Sequence, residues 1–225
     1  MNSIYETIMG LPLFKGASNE VIHAFVEKTP LSFSKYDAGS IIVTPGMHCD
    51  SVKCLLSGRA KVTLRTFGEK IEVTYTVGPE IVFGIEHLLG LDTNYGCRIA
   101  AESECGVMEF PKKHYLQLVR DNHLLLINYL NYLSMLAQRG PSVLAEQTLG
   151  RPFDAIRLLV SMLTPRNAID IEVRSRIEPL CRVFGNPDEF RTEAALLESR
   201  GAIHMPDDRH LRVLSVENLK DTDMA

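Results

Sequence analysis

The chain has 225 residues, enough for one large domain or two small ones with a real core. Hydrophobic residues make up 45% and charged residues 23%, an ordinary soluble composition, while the net charge of −4 carries no overall basic footprint for nucleic acid. No apolar run reaches the ~20 residues that span a bilayer, no secretory leader follows Met1, and the five cysteines (Cys49, Cys54, Cys97, Cys105, Cys181) contain no C-x-x-C pair. That cysteine usage argues against a disulfide framework or zinc knuckle and for a cytoplasmic protein.

An amphipathic helix is expected after Ser18, with Val21, Ile22, Phe25 and Val26 on one face. From about Leu31 to Phe110 the texture changes to short alternating apolar runs, such as Ile41-Val43, Val62-Leu64, Ile71-Val73-Tyr75 and Val107. Gly39, Gly46, Gly58, Gly68, Gly78 and Gly84 fall near their ends, where tight turns need positive φ. Many short strands with regular turns read as an antiparallel sandwich or barrel, with a small helical break at Gly84 to Leu89 and lining residues that read as apolar.

Pro111 ends this region, Lys112 to Arg120 reads as a short helix, and Asp121 starts a longer one. Leu126, Leu130, Leu133, Ala137, Gly140 and Leu144 are spaced 4, 3, 4, 3, 4, the seam of two helices packed along each other. The same stripe would serve a helix packed on its own β region, but Leu124, Leu125 and Ile127 supply a further apolar face, which favours dimerisation. Pro141 is expected to kink or break the helix.

After Gly150-Arg151-Pro152 another helix carries Phe153, Ile156, Leu159, Val160 and Leu163, and Ile169, Ile171 and Val173 alternate as a strand. A short helix spans Glu178 to Phe184, and Gly185 makes a turn. Asn186, Pro187 and Glu189 then form a strong helix start, and Phe190, Ala194 and Leu197 share a face. Gly201 closes that helix, and Ile203 with Leu211-Val213 reads as a hairpin. Helix, turn, helix, hairpin is the order of a winged helix-turn-helix.

At Asp37-Ala38-Gly39-Ser40-Ile41-Ile42, through Pro45-Gly46 to Leu56-Ser57-Gly58-Arg59-Ala60-Lys61-Val62, the sequence resembles the Crp/Fnr family of bacterial regulators. Leu13-Phe14 and Val82-Phe83-Gly84 also match, and Leu180-Cys181, Gly185, Leu197 and Gly201-Ala202-Ile203 match more weakly, one residue short between them. The resemblance implies an α+β chain: a jelly-roll-like antiparallel β-roll sensor over 1–120, a dimerisation helix and hinge over 121–149, and a winged helix-turn-helix over 150–225. It further implies a homodimer that binds a small-molecule effector in the roll and a pseudo-palindromic operator with its C-terminal domains, with RNA polymerase as a further partner.

Cyclic-nucleotide-binding relatives use a glycine-glutamate pair and an arginine a dozen residues later to hold a cyclic phosphate, joining helix N-terminal N–H groups to a guanidinium. Here Gly84 is followed by Ile85, with Glu86 one place late, and the arginine and its neighbour become Tyr95 and Gly96. Arg98 is near, but strand alternation puts it on the face of Gly96, opposite Tyr95. Gly84, Glu86, Tyr95, Gly96 and Arg98 are therefore the candidate effector residues, and cyclic AMP is not the expected effector. The family's iron–sulfur branch clusters cysteines near its start, where this chain has none. Its haem branch places a histidine where His87 loosely lies, and a lone histidine there reads as a packed or surface residue. No H-x-H, G-x-S-x-G, H-E-x-x-H or Walker motif occurs, so no catalytic residue, metal or cofactor is expected.

Residues 150–225 hold 11 Lys/Arg and 13 Asp/Glu, a net of −2. The presumed recognition helix from Pro187 to Arg200 sets Arg191 and Arg200 against Asp188, Glu189, Glu193 and Glu198, acid placed where phosphate contact needs cations. Asp188 and Glu189 also suit the positive end of the helix dipole. Candidate DNA contacts are Arg176, Glu189, Arg191 and Thr192, with Arg174 and Arg182 as backbone contacts. Two readings stand at this point. One is a DNA-binding regulator, and the other is a ligand-sensing dimer whose helix-turn-helix has turned to protein interaction.

Overall fold

A computed structural model describes the backbone of residues 4–66, 70–146 and 150–220, and the side chains of these except 4 and 139–146. Its contacts divide into two compact units, one of residues 1–62 and 77–137 and the other of residues 63–76 and 138–225. The segment 63–76, which the sequence pattern assigns to the roll, clusters with the second unit.

The first unit begins with α1 (Ile4–Gly10), a tight turn at Pro12–Phe14, and α2 (Asn19–Lys28). Ser18 stands at the cap of α2, but its side chain makes no capping bond. The strands follow: β1 (Ser32–Tyr36), β2 (Ile41–Val43), β3 (Ser51–Ser57), β4 (Ala60–Thr66), β5 (Ile71–Val77), β6 (Ile81–Phe83), β7 (Cys97–Ala101) and β8 (Cys105–Pro111). A single 3-10 turn, Ile85–His87, separates β6 from β7. One sheet runs β1-β8-β3-β6, and the other places β7 between β2 and β4. Then come α3 (Lys112–Asp121) and α4 (His123–Glu146).

The two faces of the first sheet differ. On β3 and β8 the cross-strand pairs Val52↔Phe110 and Cys54↔Met108 alternate with Lys53↔Glu109 and Leu55↔Val107. Phe110 rings meet Phe14, Phe25 and Tyr115 at centroid distances of 6.2, 5.1 and 6.1 Å, and Tyr115 meets Tyr129 of α4 at 5.9 Å. This face therefore anchors α2, α3 and α4 to the roll through edge-to-face aromatic packing. The other face is the roll's interior.

Helix α4 starts at Asn122, whose Oδ1 accepts the Leu125 N–H at 3.1 Å, rather than at Asp121. Its backbone stays helical through Pro141, so the expected break does not occur; only the missing N–H is lost, within two turns of the helix end. Leu125 and Tyr129 are buried against the roll, while Leu124, Ile127, Leu130 and Met135 are exposed. Of the expected seam, Leu130 and Ala137 are exposed and Leu126 and Leu133 half-buried; Gly140 and Leu144 lie outside the residues whose side chains are described.

The second unit contains α5 (Asp154–Leu163), β9 (Ile169–Arg174), α6 (Ile177–Cys181), α7 (Pro187–Ser199), β10 (Ile203–Asp207), β11 (His210–Val213) and α8 (Val216–Lys220). Strand β9 lies between β11 and β5, and β5 matches Glu72 to Arg174 and Val73 to Val173. Ile71 and Val73 are thus buried among Phe153, Ile156, Ile171, Val173 and Leu211. An ionic ladder runs across these strands, Arg65–Glu72–Arg174–Glu172–Arg212. No short-range signal announces this pairing, because β5 reaches β9 across about a hundred residues of chain.

Gly39, Gly46, Gly58 and Gly84 have the expected positive φ; Gly78 does not, Glu80 beside it does, and Gly68 lies outside the described residues. Gly58 is doubly constrained. Its φ is +82°, and a Cβ there would stand 2.1 Å from the Glu104 carbonyl oxygen. Gly58→Ala is expected to destabilise the roll by about 1–3 kcal/mol or more, read as a fall in urea midpoint; a change within error would refute the constraint.

Candidate effector cradle and candidate DNA-contacting helix

The turn after β6 is built by apolar anchoring. Val82, Phe83, Ile85 and Leu88 are all buried, which turns the Ile85 side chain into the core and leaves the Gly84 backbone facing the roll's interior. Gly84 holds φ +75°, and its carbonyl accepts from the His87 N–H at 3.0 Å and the Cys49 thiol at 3.3 Å. Opposite it, Tyr95 is fixed by its own backbone: its N–H donates to the Met47 carbonyl at 2.9 Å and its carbonyl accepts from Gly46 at 2.8 Å.

The Tyr95 ring lies directly on Gly84. A Cβ at Gly84 would stand 2.5 Å from Tyr95 Cε1 and 2.6 Å from its Cζ and Oη. Tyr95 is only 2% exposed, and its buried hydroxyl lacks a hydrogen bond of ordinary geometry. The Cys49 thiol is an electrostatic neighbour, and burial pushes both the phenol and the thiol upward, so both stay neutral. The His87 ring is 5.9 Å from the Tyr95 ring.

The structure therefore brings Gly84 and Tyr95 together, with Glu86 at their rim. Its carboxylate is about half exposed and acts electrostatically on Tyr95, Cys49 and Cys97. Gly96 has open space where a side chain would be, and Arg98 is exposed on β7, so neither joins them. The alternation expected for Arg98 holds, because Ile99 and Ala101 turn inward on that strand.

The interior is not uniformly apolar, as its sequence pattern had suggested. Lys53, 4% exposed, projects from the inner face of β3, where its ammonium pairs with Glu109 and donates to Ser51 Oγ at 3.0 Å. Ser51 also donates to Glu109. Burial raises the Glu109 carboxyl, but the hydrogen bonds from Lys53 and Ser51 outweigh it and the net shift is downward. A lysine between Val52 and Cys54 in a strand pattern reads as an outward residue; only the pairing of β3 with β8 turns it inside. Among the described residues no group of three or more His, Cys, Asp or Glu side chains converges as metal ligands would.

In the second unit, α7 starts as its sequence requires. Asn186 Oδ1 accepts the Asp188 and Glu189 N–H groups at 3.0 Å each, and Glu189 Oε2 accepts the Asn186 N–H at 3.1 Å. Glu189 is thus occupied as a capping carboxylate rather than free for a base. Glu193 is buried, accepting from Arg157 Nη2 at 2.7 Å and from the Phe153 N–H at 3.1 Å. Arg157, 2% exposed, also donates to Asp154 at 2.8 Å and to the Leu219 carbonyl at 2.7 Å. Glu198 accepts the Met205 N–H at 3.0 Å.

Three of the four acids on α7 therefore have intramolecular work, and Arg191 and Arg200 are exposed. Thr192 is exposed, with its hydroxyl donating to the Asp188 carbonyl at 3.0 Å. Arg176 is exposed at the start of α6, Arg182 pairs with Glu178 at 2.7 Å, and Arg174 belongs to the ionic ladder. The buried Arg157 pair was invisible in the sequence, where Arg157 reads as one surface cation on an amphipathic helix.

Residues 33–122 match the cyclic nucleotide-binding domain. The match covers the strands and the cradle just described. Two solved structures share the fold. The sensor domain of the transcriptional regulator DNR from Pseudomonas aeruginosa aligns over 60% of this chain and 89% of its own, at 21% identity and a TM-score of 0.51. The catabolite activator protein of Thermus thermophilus aligns over 93% of this chain and 97% of its own, at 18% identity and a TM-score of 0.52. No curated protein matches the sequence. No helix among the described residues is long and apolar enough to cross a membrane.

Two outcomes follow. Arg157→Ala leaves the Asp154 and Glu193 carboxylates buried without their cation, at a cost of about 3–5 kcal/mol in urea unfolding of the second unit; a loss under about 1 kcal/mol would contradict the network. Glu109, lowered in the folded roll, contributes stability that is complete above the ordinary glutamate range and is lost as pH falls through its depressed value. Lys53→Met removes the main cause of that depression and leaves burial to raise the carboxyl, so the part of the acid loss due to Glu109 is expected to disappear or reverse, with lower stability at neutral pH, measured as urea midpoint against pH.

Proposed function

We propose that the chain is a DNA-binding transcription regulator of Crp/Fnr type. In this reading residues 1–120 are a sensor roll, 121–149 a dimerisation helix and hinge, and 150–225 a winged helix-turn-helix. The observation that carries it is the disposition of charge on α7. Once Glu189, Glu193 and Glu198 are discounted as capping, buried and hydrogen-bonded, the exposed face offers Arg191 and Arg200 to a phosphate backbone or a guanine edge. Of the acids that argued against DNA contact, Glu193 is internal to the domain, while Glu189 and Glu198 accept backbone N–H groups and remain exposed.

Two further features support the reading. The exposed apolar row Leu124, Ile127, Leu130 and Met135 on α4 suits a second copy of the chain, and a homodimer would present two α7 helices to a pseudo-palindromic operator. The relatives of known structure include a catabolite activator and the sensor domain of a transcriptional regulator. The protein works in a reduced bacterial cytoplasm, with RNA polymerase as a partner at promoters, and cyclic AMP is not its effector, since the side chain against Gly84 is that of Tyr95.

The test is retention of genomic DNA fragments by the purified protein at about 50 mM salt, where phosphate contacts are strong. A retained fragment then serves for comparison of variants. Arg191→Ala is expected to weaken binding by about 5- to 100-fold, corresponding to one lost base or phosphate contact, and Thr192→Ala by much less, because that hydroxyl is already bonded to Asp188. No retained fragment, or equal and negligible effects of both variants, would favour protein interaction as the role of this domain.

A further inference from the structure

The cradle at Gly84 keeps the glycine of an anion site, but its nearby lysines, Lys53 and Lys112, act on Cys49 only electrostatically. Its glycine leaves room for a close approach, yet the residue that approaches is the chain's own Tyr95, with Cε1, Cζ and Oη all 2.5–2.6 Å from where a Cβ would be. Arg98 faces solvent. The buried cation of the interior, Lys53, is held by Glu109 and Ser51. The Tyr95 hydroxyl enters this space beside the Cys49 thiol, which is its polar neighbour there. Backbone bonds to Gly46 and Met47 hold the residue in place from behind.

We propose that Tyr95 is a built-in occupant of the effector cradle: its phenol ring fills the space over Gly84 that an effector's anionic group would take, so the roll is held in one state without added ligand. The inference rests on reading the roll as a sensor but not on DNA binding. It also names the chemistry of the vacated site. Removing the ring leaves a space flanked by Gly84, Cys49 and the edge of His87, which suits a small neutral aromatic and not a phosphate.

The experiment is thermal unfolding of the full chain with and without phenol. Tyr95→Ala is expected to melt roughly 6–20 °C lower than the unaltered protein, the usual loss for a buried aromatic in a chain of this size. Phenol at ten times its dissociation constant is expected to raise the melting temperature of Tyr95→Ala by about 3–6 °C and to leave the unaltered protein unchanged. An unchanged melting temperature in Tyr95→Ala, or a phenol response equal in both proteins, would overturn the occupancy. Should Tyr95→Ala not fold, Tyr95→Leu opens a smaller space on the same backbone and is judged by the same two results. Calorimetry with cyclic AMP separates the two levels: micromolar binding by the unaltered protein would sink the expected specificity together with the occupancy, whereas failure of the phenol rescue alone sinks only the occupancy.

Discussion

Strand β3 pairs with β8 from Ser51↔Pro111 to Ser57↔Gly106, and the alternation this imposes decides what each residue of the two strands can touch. Val52, Cys54, Met108 and Phe110 face the helices, where Phe14, Phe25, Tyr115 and Tyr129 close an aromatic cluster over them. The buried Lys53 pairs on the other face with Glu109 and Ser51, which are half-buried. A slip of one residue would put the ion pair among the aromatics and Phe110 into the roll. The helices, the cradle and the interior charge all hang on this one register.

The cradle keeps an open turn geometry and fills it with a side chain of the same chain. The turn after β6 retains Gly84 with its positive φ, and so the backbone approach that an anion would need. Ile85 is drawn into the core, and the Tyr95 ring lies on Gly84. A neutral ring is the physically consistent filler, since burying an unpaired cation there would cost more than burying a phenol. The interior cation Lys53 is tolerated because it pairs with Glu109 and donates to Ser51.

In the second unit, net charge is a poor guide to surface charge. Arg157 gathers Asp154 and Glu193 in the core and ties α5, α7 and the last turn of α8 into one hydrogen-bonded group. That group carries one more negative than positive formal charge, so its removal from the surface count shifts the exposed balance of α7 toward Arg191 and Arg200. Breaking it would expose the same imbalance inside a low-dielectric core.

Much of the architecture was legible in the chain. The glycine-framed alternation announced the roll, and Asn186-Pro187-Asp188-Glu189 announced a capping box that the structure forms bond for bond, because both are local and depend on the backbone geometry of a few neighbouring residues. The resemblance also put Tyr95 where the cyclic-nucleotide-binding relatives carry an arginine. Three things were not: Tyr95 resting on Gly84, Lys53 turned inward against Glu109, and Ile71 and Val73 completing a core with Phe153 and Leu211. Each joins residues 11 to about 140 positions apart, and which face a strand buries, or whose edge it pairs with, is settled by long-range packing rather than by the pattern of the strand alone.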